Sequence, residues 1–160
     1  MRRMWLSIGS NMGDRLAHLQ SAVLSLATIG AVRCSRVYET TPVGVEGQPD
    51  YLNAVVELLS DIAPRELFAL CMNIEAAAGR ERIERWGART LDVDIIVVEG
   101  ERVDEPDLQI PHPRAAERDF VLIPLHELAP SADTGLPERA SVKAPGEVRL
   151  TEFQLIAEHQ

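Results

Sequence analysis

Two cysteines, Cys34 and Cys71, both in apolar surroundings, are too few for a disulfide framework, and a reducing compartment is the expectation. Positive charge is scarce as well: the formal charge is -9, which denies the chain the broad basic surface that a nucleic-acid backbone demands. Lysine is nearly absent, with Lys143 alone among 16 basic residues. Cationic chemistry therefore falls to arginine, which fits either fork-shaped recognition of phosphate or a codon bias, and composition does not separate the two. No apolar run approaches the length of a membrane span, and the short run after Arg2 and Arg3 reaches Gly9 without a small-residue cleavage site. No nucleic-acid or membrane partner is expected, and the location expected is the cytoplasm. Neither the Gly-x-x-x-x-Gly-Lys-Ser/Thr loop nor a Gly-x-Gly-x-x-Gly fingerprint occurs, so a P-loop kinase and a Rossmann enzyme are both poor fits. At 160 residues with 46% hydrophobic content the chain has room for one domain, residues 1–160, and not for two. A monomer is expected.

The pattern along the chain is regular up to about residue 100. Met4 to Ile8 reads as a strand and Gly9-Ser10-Asn11 as its closing turn. Leu16, Leu19, Val23, Leu26 and Ala27 recur at helical spacing between an Asp14 cap and a Gly30 stop. Ala31 to Glu39 reads as a second strand whose imperfect alternation suits a bulge. Thr40 to Pro49 is longer than a simple connection requires. Tyr51 to Leu59 splits cleanly, with Leu52, Ala54, Val56 and Leu58 on the core side and Tyr51, Asn53, Val55 and Glu57 on the other. Pro64 opens a second helix with a stripe of Leu67, Leu70, Cys71, Ile74 and Ala78, ended by Gly79. After Gly100 a minor hairpin leads to Ile110-Pro111-His112-Pro113, and Ala115 to Leu128 reads as helical with a break at Pro124. The tail from Ala129 has little periodicity, and Val148 to Ile156 adds a strand or a short helix.

The order strand, helix, strand, strand, helix, strand predicts an α+β fold, a ferredoxin-like βαββαβ sandwich. Its four-stranded antiparallel sheet would carry helices on one face plus C-terminal additions, leaving the other face open for a site.

The chemistry concentrates between Arg85 and Val98. Along the strand Leu91, Val93 and Ile95 share one face and Asp92 and Asp94 the other, about 7 Å apart by strand rise. Like charges so close suppress each other's ionisation unless a cation lies between them. For a bare Asp-x-Asp, a pair of solvated aspartates on an open sheet face is the commoner reading. Arg80, Arg82, Arg85 and Arg89 just upstream favour a magnesium-bound polyphosphate.

These segments together resemble the 6-hydroxymethyl-7,8-dihydropterin pyrophosphokinase family, which moves a pyrophosphoryl group from ATP to a pterin hydroxymethyl in folate biosynthesis. The resemblance runs through Ile8-Gly9-Ser10-Asn11, Tyr38 to Gly44, Gln48 to Asn53, the Arg85 to Ile96 run, Pro111-His112-Pro113 and Arg118 to Leu122. It implies two Mg2+ ions on Asp92 and Asp94, with ATP as co-substrate. It also implies that Arg80 and Arg82 are catalytic loop arginines and that Glu75, Arg82, Arg89, Ile95, His112 and Arg118 contact the nucleotide. The pterin would stack between Tyr51 and Phe120, and Asn53, Thr40, Pro42 and Val43 would read its polar edge. The chain departs from the family at Met72 and Pro113, where other members carry glutamine and tyrosine. A non-catalytic ferredoxin-like ligand-binding module, or a kinase moving one phosphoryl group, are the alternative readings.

Overall fold

β1 (Arg2–Ser10) lies at the centre of the molecule because its residues Met4 to Ser10 are buried on both faces and few other stretches are apolar enough to be so. The computed structural model describes residues 1–42, 47–79, 90–142 and 147–157. α1 (Arg15–Leu26) follows, its start fixed by the Asp14 carboxylate accepting from the Ala17 N–H at 3.1 Å. β2 (Ala31–Cys34), β3 (Tyr38–Thr40) and β4 (Tyr51–Ser60) precede α2 (Pro64–Ala77). β5 (Asp92–Val98) is followed by the hairpin β6 (Val103–Glu105) and β7 (Leu108–Ile110).

β1 pairs antiparallel along its whole length with β4, from Arg2↔Ser60 to Ser10↔Leu52, and on its other side with β5. The sheet order is β5-β1-β4-β3-β8, with β2 also paired to β4 and β8 being Val148–Leu150. Six strands thus stand where four are expected from the pattern. Two causes account for the difference. The predicted second strand is broken at Ser35, where the Val55 N–H donates to Ser35 Oγ at 2.9 Å, so a hydroxyl replaces a main-chain acceptor in the ladder. The tail supplies the other strand, since β8 pairs with the outer edge of β3.

α1 and α2 pack on one face of the sheet. Leu19, Val23 and Leu26 of α1 and Leu67, Cys71 and Ile74 of α2 bury against Leu6, Ile8, Leu52, Val56, Leu58, Val93 and Ile95. This is the split read from the alternation of β4. Leu6 is fully enclosed there, so Leu6→Ala is expected to lower the free energy of unfolding by about 2–5 kcal/mol, measured by denaturant titration, through lost burial and the cavity left behind.

The second face is not bare as the four-strand pattern would have it. α3 (Asp119–Leu128) covers part of it, closing Val121 and Leu125 over Trp5, Val55, Ile96 and Val97. The register between β1 and β5 shifts at Trp5/Leu6, so Ile96 and Val97 both join this second core and give the helix an apolar platform. The helical break falls at Arg118 rather than Pro124. Ala115–Glu117 forms a 3-10 turn, Arg118 is extended, and Pro124 sits inside α3 with its ring buried. Burial of Val121, Leu122 and Leu125 outweighs the one backbone bond that Pro124 cannot donate. The tail forms α4 (Ser131–Thr134), ended by Gly135 at φ 73°, before reaching β8. Among the described residues no helix is long and apolar enough to cross a membrane.

Candidate active site

α3 covers only part of the second face, and beyond it the polar residues of three strands meet. The register sets them side by side: Gly9 of β1 pairs with Asp92 of β5 on one side and with Asn53 of β4 on the other. Ser7 likewise stands between Asp94 and Val55. With strands spaced about 4.8 Å apart, the backbones of Asp92 and Asn53 are about 10 Å apart across a single glycine. Asp92 and Asp94 are half-buried on this face, while Val93 and Ile95 point into the first core. The Ile95 side chain is thus enclosed on the opposite face, and its main chain is the part of it near the site. Glu75 of α2 ties down the start of this strand, its Oε2 accepting from the Val93 N–H at 2.9 Å.

On the β4 side Asn53 is 4% exposed and its Nδ2 donates to Thr40 Oγ1 at 2.6 Å, itself buried. An amide fixed in this way is positioned rather than free to turn. Tyr51 stands half-buried two residues before it, and Pro42, also half-buried, follows Thr40 by two. A methyl group at Gly9 would lie 2.7 Å from Asn53 Oδ1 and 3.6 Å from the Tyr51 ring, so the missing side chain is what lets these two groups lie over β1. Asn11, 1% exposed, closes the turn by donating from Nδ2 to the Pro49 carbonyl at 3.2 Å.

The third wall comes from the segment leading into α3. Arg118 holds its guanidinium 5.7 Å from the Phe120 ring centroid, a cation-π contact on the first turn of the helix. Burial pushes the Arg118 guanidinium below its ordinary range, and Arg114 adds to this, while the carboxylates of Asp94, Glu117 and Asp92 act the other way. His112 is anchored to β5 by its N–H, which donates to the Ile96 carbonyl at 2.8 Å. Its imidazole is held below its usual pKa, first by burial and then by Arg118 and Arg114, so it is neutral at neutral pH. The Arg114 N–H donates to His112 Nδ1 at 3.2 Å, which assigns the remaining proton to Nε2. His112 is thus a neutral donor.

Val43, Arg80, Arg82, Arg85 and Arg89 lie outside the described residues. Gly9 and Ser7 carry no chemistry of their own and do not stand out from composition. Their signal is the register, together with the Gly-Ser-Asn turn at the end of a buried strand.

Two carboxylates beside the Arg118 cation form an oxygen donor set for a hard cation. Among the described residues no group of three or more His, Cys, Asp or Glu side chains gathers as a metal cage. Magnesium fits such a sparse set, because it keeps waters and takes phosphate oxygens to complete an octahedron.

Residues 5–130 match the family model for 7,8-dihydro-6-hydroxymethylpterin-pyrophosphokinase (HPPK). The chain is 42% identical over 138 residues to the 2-amino-4-hydroxy-6-hydroxymethyldihydropteridine pyrophosphokinase of Methylorubrum extorquens, covering 84% of this chain and 87% of that one. It is 43% identical over 127 residues to the same enzyme of Bacillus subtilis, covering 78% and 76%. Among solved structures it is similar to an HPPK-DHPS in complex with substrates, with a TM-score of 0.61 at 13% identity over 87% of this chain and 42% of that one. A Plasmodium falciparum HPPK-DHPS gives a TM-score of 0.56 at 12% identity, over 88% and 42%. The chain spans about two fifths of those longer proteins, and at such identities the likeness is one of fold.

Proposed function

The chain belongs to the 7,8-dihydro-6-hydroxymethylpterin-pyrophosphokinase family, an ATP-dependent diphosphotransferase of folate biosynthesis, and from that premise we propose how its residues divide the work. The acceptor's hydroxymethyl oxygen bonds to the β-phosphorus of ATP. The bond from that phosphorus to the bridging oxygen breaks, AMP leaves with that oxygen, and the hydroxyl proton is lost. Asp92 and Asp94 would hold two magnesium ions. When bound, magnesium neutralises phosphate charge and polarises the phosphorus under attack.

Asn53, held by Thr40, reads the polar edge of the pterin together with the main chain around Pro42 and Val43, and Tyr51 and Phe120 enclose its flat ring. His112, whose Nδ1 accepts from the Arg114 N–H, presents its Nε2–H to a phosphate oxygen. Arg118 faces the same anion, with Arg82 and Arg89 as further phosphate ligands and Arg80 as the loop arginine. Glu75 and the Ile95 main chain border the nucleotide. The sheet register supports this reading: one glycine separates the carboxylate pair from the amide that would read the acceptor, which would bring the reacting oxygen and phosphorus to one place.

We also read β1, α1, the split β2 and β3, β4, α2 and β5 as a ferredoxin-like βαββαβ unit, supported by β2 and β3 both lining the edge of β4 away from β1. The chain is then one domain over 1–160, a cytoplasmic monomer acting on small molecules.

The nucleotide product decides between the readings. Incubation of the protein with ATP, magnesium and the pterin is expected to yield AMP in step with acceptor consumed, resolved by anion-exchange chromatography. ADP would indicate transfer of one phosphoryl group, and the absence of any pterin-dependent nucleotide consumption would favour a binding module.

A further inference from the structure

We propose that the C-terminal strand β8, and Arg149 on it in particular, positions the acceptor pocket. This rests on the reading of Asn53, Thr40 and Tyr51 given above. The strand lies beyond residues 5–130, the part of the chain that matches the family model.

β3 is only three residues long, yet it carries Thr40, the partner of Asn53. Its inner edge pairs with β4 through Tyr38↔Asn53 and Thr40↔Tyr51. Its outer edge pairs with β8 through Tyr38↔Leu150, Glu39↔Arg149 and Thr40↔Val148. A strand so short, left at the edge of a sheet, would hold its end residues poorly, and β8 turns it into an interior strand. Thr151 extends the seam, its N–H and its hydroxyl both donating to the Val37 carbonyl, at 3.0 and 2.8 Å.

Side chains add a second fastening. One Arg149 nitrogen donates to Asp50 Oδ2 at 2.8 Å and to Glu39 Oε1 at 3.3 Å. Arg15 of α1 completes the ring, donating to Glu39 Oε2 at 2.7 Å and to the Asp50 carbonyl at 2.9 Å. Glu39 directly precedes Thr40, and Asp50 directly precedes Tyr51. Two arginines therefore join the residues beside the two pocket walls. These are partly exposed ion pairs, of a kind that adds little to overall stability. Their effect falls on where Thr40 and Tyr51 stand relative to one another. Small displacements of groups that orient a substrate have large kinetic consequences.

The test is steady-state kinetics of the full chain, varying ATP and pterin separately, for wild type, Arg149→Ala, Arg149→Lys and Asp50→Asn. Arg149→Ala is expected to raise the pterin KM by about tenfold, toward the modest end of what misplacing an orienting group costs. The ATP KM, saturating kcat and thermal midpoint should be unchanged. Asp50→Asn should reproduce part of the effect, and Arg149→Lys should restore part of it, because a point charge still reaches one carboxylate. An unchanged pterin KM in Arg149→Ala overturns the proposal. So does a proportional change in both KM values with a lowered midpoint, which is the mark of general destabilisation. Failure of wild type to form AMP from ATP and pterin would instead overturn the underlying reading of the site, whatever the variants do.

Discussion

Asp94→Asn is expected to reduce AMP formation by at least about a hundredfold at saturating ATP and pterin, the scale on which removing one charge-stabilising group from a transition state is felt. The substitution keeps the shape of the side chain and removes its charge. Asp94 is half-buried and Val93 and Ile95 beside it carry the packing, so the fold is expected to survive the change. Without metal the two aspartates repel each other while both attract the Arg118 guanidinium, so the opposing effects offset and the variant is expected to melt close to wild type. Two measurements check this together: AMP release as magnesium is varied, and thermal unfolding by circular dichroism. Loss of activity with an unchanged melting point supports a charge role. Retained activity would remove the carboxylate pair from the reaction, and a large fall in melting point would make Asp94 a structural residue. Asp92→Asn should behave in the same way, and because the two act as one unit the double variant should be little worse than either single one.

Much of the framework was legible from hydrophobic period alone. The first core could be read because β4 alternates cleanly, α1 begins at a side-chain cap and α2 carries one apolar stripe. The face shared by Asp92 and Asp94 followed from alternation too. What escaped the pattern depends on pairing between distant residues. Whether Ser35 breaks a strand is settled by its hydroxyl meeting the Val55 N–H, a contact spanning 20 residues. Whether the second face stays bare depends on the register shift that turns both Ile96 and Val97 toward α3. Val148 to Ile156 reads as a strand or a short helix, and a three-residue stretch has too few side chains to choose by period; it is a strand because the edge of β3 offers it a partner. The site divides along the same line. The paired aspartates and the arginines stand out by type and the aromatic candidates through the family resemblance, whereas Gly9 acquires meaning only once Asp92 and Asn53 are known to flank it.

Gly9→Ala is the second change with a large expected effect, because the added methyl has nowhere to go without moving the site. Its carbon would lie 2.7 Å from Asn53 Oδ1, well inside contact distance. An amide at the end of a side chain can often swing aside at little cost, but this one is 4% exposed and donates to Thr40 at 2.6 Å. Turning it gives up a buried hydrogen bond, worth about 1–3 kcal/mol when a partner is left unsatisfied. Leaving it in place strains the sheet by a similar amount, about 1–3 kcal/mol, as overpacking does. Either way the edge-reading group moves relative to the pterin. The pterin KM is expected to rise by about tenfold or more, a factor of ten corresponding to about 1.4 kcal/mol, with a smaller effect on the ATP KM. Gly30→Ala is the useful contrast, since its methyl would lie 2.2 Å from the Leu59 carbonyl, on backbone that cannot rotate away, and far along the sheet from Asn53. That variant should lose stability without discriminating between the two substrates. If Gly9→Ala instead lowers the melting point and leaves the ratio of the two KM values untouched, the glycine serves the sheet alone, and Asn53 is not held where a substrate needs it.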